Sequence, residues 1–445
     1  MFKCPKRVVR LLVLITLGIL FAVQVTLLRG ENHYLPFNDS ALDPAPYTDD
    51  ETQINRLLML CHTGDALMIT SQFHASGQNA RSIYDRTCFP LEIVTNQGSR
   101  SMGHCSDFVQ YIYFAGARLS DDYGHDATVQ HARQCPNSSF LHGEYPQAGV
   151  FKLPHIRNYW MPNVEQVSKV QEELIPLTYR FLGKTHKSVE VIQDYLEKHS
   201  LPDTTRFMSH SSPDPLTPFA LQTDRDFNSF YHAYGHSGRK STIELLNCWK
   251  ENRKFPVITV IGQSPVAPSF LNISNIKIIN GHLEVDTLRT LQRRNGVHVC
   301  PSSMEGYGHY ISEARAMGAL IVTTDFGPMN EFVVPHFSGI LIKPGKVHHE
   351  GYMALENVAV SVPPNAICAS VKRVLKMPLD QRRLFGDRGR RLYEISREVM
   401  KNNLRELKRE TVEHFSSRED YSMSQLDIDK VVLECNRKLH EAKAM

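Results

Sequence analysis

Hydrophobic positions along the chain fall into three regimes. The first is residues 11–28, LLVLITLGILFAVQVTLL, a run without a charge. Such a run crosses the hydrocarbon core of a bilayer as one helix, at the short end of the usual length. Lys3, Lys6, Arg7 and Arg10 precede it, while only Arg29 and Glu31 follow closely. That excess of positive charge keeps residues 1–10 cytosolic and sends the rest to the lumen. No small-x-small cleavage site ends the run at Leu27-Leu28-Arg29, so a retained signal anchor is expected rather than a cleaved leader. Residues 29–60 are polar and proline-bearing and read as a stem.

The second regime alternates short apolar runs with longer amphipathic stretches. Residues 66–70, 91–95 and 179–182 read as buried strands, and 108–117 and 188–197 as helices. Pro213, Pro215 and Pro218 interrupt the pattern, so 211–218 is expected to be an interdomain linker. The alternation then resumes with strands at 230–234, 256–261, 276–279, 297–300 and 319–324. Helices are expected between them at 241–249, 285–294 and 309–317. Strand and helix in alternation imply a parallel sheet covered on both faces. The expected fold class is α/β, with two Rossmann-like doubly wound domains at 61–210 and 219–380. The third regime, 381–445, is charged and helical in period, densest in Arg, Lys and Glu along 382–413.

Composition refines this picture in two ways. The 50 basic and 47 acidic residues nearly cancel, leaving a net charge of +3, and no basic stripe interleaved with aromatics occurs. Nucleic-acid binding is therefore excluded. Asn38, Asn137 and Asn272 each open an N-x-Ser triplet, and eight of the nine cysteines lie beyond the apolar run. Both features suit an oxidising lumen, with pairing plausible among Cys61, Cys88, Cys105 and Cys135. A single-pass type II protein of the Golgi or endoplasmic reticulum membrane is expected. No Cys or His spacing suggests a structural metal.

The chemistry concentrates after the strand ending at Cys300. Glu305-Gly306-Tyr307-Gly308 forms a glycine-bearing loop that opens a helix carrying Glu313. Gly306 and Gly308 let backbone approach a ligand, and a helix start offers amide N–H groups to an anion. Upstream, Gly235-His236-Ser237-Gly238-Arg239-Lys240 ends a strand with a basic pair. Asp224-Arg225-Asp226 and Asp427-Ile428-Asp429 match a D-x-D metal motif, but among 47 acidic residues such triplets arise by chance, and both read as surface acids.

Together with Ala316-Met317-Gly318 and Thr323-Thr324-Asp325-Phe326-Gly327-Pro328-Met329-Asn330-Glu331, these residues resemble the E-x7-E signature of retaining GT-B glycosyltransferases of family 4. The likeness spans the last half of the chain. It implies that Glu305 contacts the donor sugar and Glu313 the ribose. By the same resemblance the amides near Ile311 and Ser312 hold the diphosphate, with Gly235, Gly238, Gly306, Tyr307 and Gly308 shaping the donor pocket. Arg239 and Lys240 would stabilise the leaving phosphate. The resemblance implies a nucleotide-sugar donor, no metal or other cofactor, and a glycan, lipid or protein acceptor bound by the N-terminal domain. On that acceptor side His155, Arg157 and Lys184 are candidates, drawn from polar and aromatic segments. The alternative function is a non-catalytic carbohydrate-binding or scaffold protein that keeps the fold.

Overall fold

A computed structural model describes residue 54 and residues 88–94, 105–119, 124–216, 223–349, 354–355 and 358–417. The expected anchor, most of the stem, Asn38, Cys61, the strand at 66–70 and residues 427–429 lie outside the described residues. Among those described, no helix is long and apolar enough to cross a membrane. The described residues fall in one compact unit.

The N-terminal half builds one sheet from β1 (Leu91–Val94), β2 (Arg118–Leu119), β3 (Ser139–His142), β4 (Arg157–Trp160), β5 (Arg180–Gly183) and β6 (Thr205–Phe207). Helices α1 (Cys105–Ala115), α2 (Gly124–Gln134), α3 (Ala148–Phe151) and α4 (His186–Lys198) connect them. The order is β2-β1-β3-β4-β5-β6, with every pairing parallel. Strands buried on both faces tolerate polar residues only when these are paired. Glu92 at the centre of β1 meets that demand, with Arg118 at 2.6 Å and His131 at 2.8 Å. The Cys88–Cys135 disulfide closes the edge beside it.

Strand β4 departs from expectation. Its segment is rich in polar and aromatic residues, and 152–165 reads as a loop from sequence. Tyr159 and Trp160 are instead core residues, and buried Asn158 accepts a 3.0 Å hydrogen bond from the His142 ring on β3. Tertiary pairing satisfies the polar groups that made the segment look irregular.

The second sheet contains β7 (Asp226–Gly235), β8 (Ile258–Gly262), β9 (Ile276–Asn280), β10 (Asn295–Cys300), β11 (Leu320–Thr324) and β12 (Gly339–Ile342). Its order is β12-β11-β10-β7-β8-β9, again parallel throughout. Helices α5 (Thr242–Glu251), α6 (Val285–Arg294) and α7 (His309–Ala316) stand where the apolar period predicts them. A disulfide between Cys248 on α5 and Cys368 on α8 (Pro364–Lys376) ties two helices that the sequence does not connect. A small antiparallel pair, β13 (Val347–His349) and β14 (Val358–Val360), follows β12.

One 38-residue helix, α9 (Leu379–Ser416), serves both sheets. Near its start Phe385 joins the core of the second sheet, and further along Met400, Leu404 and Leu407 enter the core of the first. Arg397 donates to Gln110 at 2.6 Å, and Glu410 accepts from the Tyr159 hydroxyl at 2.9 Å. The helix also grips the segment expected to be a linker. Its described part, 211–216, is buried throughout. Tyr393 donates to the Ser212 carbonyl at 2.8 Å, and Arg390 binds both Asp214 oxygens at 2.9 and 2.6 Å. The prolines break the secondary structure without exposing the chain.

The approach of α9 to the second sheet depends on Gly386. A Cβ there would lie 2.2 Å from the Gly318 carbonyl oxygen, which is backbone and cannot rotate away. Gly386→Ala is expected to destabilise the protein by about 2 kcal/mol through overpacking, measured as a lowered urea midpoint.

Candidate active site

In a doubly wound sheet, ligands bind outside the carboxyl ends of the strands where the strand order reverses. In the second sheet that point lies between β7 and β10. Strand β7 ends in Gly235, whose φ of +56° turns the chain into the 3-10 turn Gly238–Lys240. Strand β10 ends in Cys300 and leads into the Glu305 loop. The two loops touch, because the Ser303 amide donates to the Arg239 carbonyl at 2.8 Å. Residues more than sixty positions apart therefore share one crevice.

Inside it the Lys240 ammonium donates to Glu305 Oε1, and both side chains are mostly buried, 15% and 13% exposed. Ser302 also donates to Glu305 Oε1 at 2.5 Å, and the Lys240 ammonium stands 3.8 Å from the centre of the Tyr310 ring. A lysine held this way is a compact, oriented charge at the crevice floor. The loop then passes Gly308, at φ +104°, and enters α7. The Ile311 and Ser312 amides, which the resemblance assigns to the diphosphate, both donate to the Gly308 carbonyl, at 2.9 and 3.1 Å. The helix thus starts early, and the amides left open by its first turn fall at His309 and Tyr310. Glu313 sits on α7 with Arg289 at 3.0 Å and Gln292 at 2.9 Å. Burial pushes its carboxyl up, but Arg289 and Gln292 outweigh burial and hold it below the usual range.

Elements of the N-terminal half close over this crevice. Tyr307 donates to the His210 carbonyl at 2.8 Å. Glu331 accepts from the His186 and Lys187 amides at the start of α4, at 2.8 and 2.7 Å. Gly306 faces the carboxyl of Glu165, whose Oε2 would lie 2.4 Å from a Cβ at that position. Gly306 is therefore a glycine for close contact.

A buried ionic knot joins the two halves. Asp107 on α1 holds Lys184 at 2.9 Å, His210 at 2.7 Å and His309 at 3.5 Å. Burial raises the Asp107 carboxyl, yet Lys184, His210 and His309 together hold it well below its usual range. Burial lowers His309 to about 4. Asp107, His210 and His309 converge closely enough to bind a metal ion, but the Lys184 ammonium already supplies the cation there. The other such cluster among the described residues, Glu92, His131 and Cys135, is unsuited because Cys135 is bonded to Cys88 and Arg118 occupies Glu92.

Three sequence expectations are corrected by strand direction and burial. His155 precedes β4, and Arg157 is its first residue, stacked 4.7 Å over Tyr179. In a parallel sheet that is the amino end, opposite the crevice; Lys184, following β5, is at the correct end. Asn137 is 5% exposed and poorly placed to carry a glycan, whereas Asn272 is exposed. Asp224 is exposed and Asp226 opens β7, accepting from the Asn228 amide at 2.9 Å, so this D-x-D triplet also sits at the amino end. Asp107, Glu165, His210 and His309 were not singled out from sequence, since they lie on separate elements without a shared motif.

Residues 269–350, which include Glu305, Glu313 and Glu331, match the family described as glycosyl transferases group 1. That stretch is similar to the family and covers less than half of the chain. No curated protein matches the chain in sequence. Among solved structures, sucrose-phosphate synthase from Thermosynechococcus elongatus is 14% identical, with 65% of this chain and 77% of that one covered at a TM-score of 0.50. The GtfA/B complex is 12% identical, covering 70% of this chain and 61% of that one at 0.50. S. aureus TarM, in complex with fondaparinux, α-GlcNAc-glycerol and UDP, is 13% identical, with 66% and 59% covered at 0.50. The chain thus spans under two thirds of the length of GtfA/B and TarM. These likenesses establish the GT-B fold.

Proposed function

We propose that the protein transfers a sugar from a nucleotide diphosphate sugar to a hydroxyl of a glycan, lipid or protein acceptor, with retention at the anomeric carbon. The observation that carries this reading is the meeting of Lys240 and Glu305 at the β7–β10 crevice beside the start of α7. A nucleotide diphosphate needs cations and helix-start amides at its phosphates, and hydroxyl acceptors such as carboxylates at its sugars. Arg239 and Lys240 supply the first, with the opening of α7. Glu305 and Glu313 supply the second, flanking the phosphates rather than facing them.

As the glycosidic bond breaks, negative charge grows on the leaving diphosphate, and Lys240 with Arg239 offsets it. In this reading the acceptor hydroxyl attacks from the same face and a departing phosphate oxygen takes its proton. No metal is invoked, because the basic pair occupies the place where a cation would act. The carbohydrate-scaffold alternative lacks any such need for a charged leaving-group site.

We place the body in the lumen of the Golgi or endoplasmic reticulum, anchored by residues 11–28. The charge asymmetry around that run supports this, as do the Cys88–Cys135 and Cys248–Cys368 disulfides. Among the described residues, Asn272 is an exposed acceptor for a glycan.

The test is a thermal-shift screen against UDP-, GDP- and ADP-sugars, followed by hydrolysis of the best donor without acceptor. One nucleotide series is expected to raise the melting temperature, since a ligand bound to the native state alone stabilises it. Slow donor hydrolysis that survives EDTA is the expected second result. A nucleotide shift without any donor cleavage would favour the scaffold reading, and abolition by EDTA would point to a metal-dependent site.

A further inference from the structure

Helix α6 presents Arg289 and Gln292 to Glu313 on α7, and their spacing puts both on one face of the helix. Arg289 Nη1 lies 3.0 Å from Glu313 Oε2, and Gln292 Nε2 donates to the same oxygen at 2.9 Å. Arg289 Nη1 also donates to Gln292 Oε1 at 2.8 Å, which closes a triangle of three side chains. The triangle is anchored to the sheet, because the His298 ring on β10 donates to the Gln292 carbonyl at 2.9 Å.

Both contacts fall on Oε2. Among the described residues Glu313 Oε1 has no hydrogen-bond partner, and the side chain is 23% exposed. A guanidinium that only tied two helices together would best use its fork on both oxygens. Here two donors share one oxygen and the other is left for a ligand.

We propose that Arg289 and Gln292 are positioning residues for donor binding, fixing Glu313 through Oε2 so that Oε1 accepts a hydrogen bond from a ribose hydroxyl of the nucleotide. The proposal rests on the glycosyltransferase reading and deepens its donor site. A glutamate on a helix has several rotatable bonds, and a clamp on one oxygen removes that freedom before the ligand arrives. The clamp also sets the charge. Burial raises the Glu313 carboxyl, yet Arg289, Gln292 and His309 outweigh it and hold the group below its usual range. A hydrogen bond to an ionised carboxylate is about twice as strong as one to a neutral group. The other titratable groups coupled to Glu313 are Tyr231 on β7, His298 on β10 and His309 on α7. Burial lowers both histidines to about 4 and raises the tyrosine, so all three are neutral near pH 6.

The experiment is titration calorimetry on the full-length protein between about pH 5 and 8. Its probes are the nucleoside diphosphate found in the thermal-shift screen and the 2′-deoxy and 3′-deoxy analogues of that nucleotide. Arg289→Met keeps a long side chain without its charge and is expected to weaken nucleotide binding about tenfold at neutral pH. With burial no longer offset, the Glu313 carboxyl rises, and its ionised form is lost as pH falls through the raised value. The ratio of variant to wild-type affinity should therefore worsen toward acid, a ratio from which the titration of the nucleotide's own phosphate cancels. Arg289→Lys should keep that ratio nearly constant with pH. At least one deoxy analogue should bind wild type about tenfold more weakly than its parent, yet lose little further in Arg289→Met, where the hydroxyl's partner is already impaired. Gln292→Met, which keeps Arg289, carries the same comparison independently.

A lowered melting temperature with nucleotide affinity, its pH dependence and the deoxy penalty all as in wild type would mark a purely structural ion pair and overturn the proposal. Equal deoxy penalties in wild type and both methionine variants would do the same. A wild type that binds no nucleotide would instead overturn the transferase reading, so the two failures are distinguishable.

Discussion

Lys240→Ala is expected to lower kcat by about 10²–10³-fold, the usual effect of deleting one preorganised group that stabilises charge in a transition state. The reason is electrostatic. Lys240 is mostly buried, oriented by Glu305 and Tyr310, and aimed at the crevice where the leaving diphosphate would lie. A charge so placed needs no reorganisation when the bond breaks. KM for the donor should change less than kcat, because the lost interaction grows with the charge on the leaving group. Lys240→Arg should recover part of the rate, since it keeps the charge but alters its geometry. Glu313→Ala should act differently, weakening the nucleotide-induced thermal shift. Asp224→Ala, at the opposite end of β7, should leave both untouched. Steady-state kinetics of the four variants, together with nucleotide thermal shifts, measures these effects. Intact turnover in Lys240→Ala together with a dead Asp224→Ala would put the donor site elsewhere.

Asp107→Ala should cost about 3–5 kcal/mol of stability at neutral pH, because it strands a buried charge. Lys184 is 3% exposed and loses its carboxylate, and His210 loses its ring partner. The pH dependence follows from the carboxyl being held well below its usual range. A depressed carboxylate contributes stability that is fully present above its unfolded value, about 3.9. That contribution disappears as pH falls through the lower folded value. The gap between wild type and Asp107→Asn should therefore be widest at neutral pH and narrow only in strong acid. Lys184 keeps its charge across that range, while His309, lowered to about 4 by burial, begins to protonate within it and to repel Lys184. Urea unfolding at pH 7 and at pH 3 measures both gaps. A gap that persists unchanged at pH 3 would mean that Asp107 acts through packing rather than charge.

The parts of this protein legible in its sequence are those whose chemistry is local. Strand β10, the Glu305 loop and α7 are consecutive. Their apolar run, glycines and helix period therefore report the proposed donor site within one short window. The second sheet was readable for a related reason. Its central strands are buried and carry apolar runs, such as the Leu320-Ile321-Val322 that opens β11, whose five residues are all buried. Where polar residues are satisfied by distant partners, the pattern vanishes. Strand β4 looked like a loop because Asn158 finds His142 only across the sheet. His155 and Arg157 had suitable chemistry, but the direction of β4 decided that they point away from the crevice. Asn137 carries the glycosylation triplet, and only packing shows that it is buried.

The cleft itself was decided by tertiary structure. Asp107, Glu165, His210 and His309 come from four elements, and no spacing along the chain relates them. They meet because α9 leaves the second sheet at Phe385 and packs against the first from Met400 onward, fixing the two halves face to face. A motif records which residues one loop brings to a ligand. Which residues face that loop from the other domain depends on how two separately built sheets dock, and that is set by contacts hundreds of positions apart.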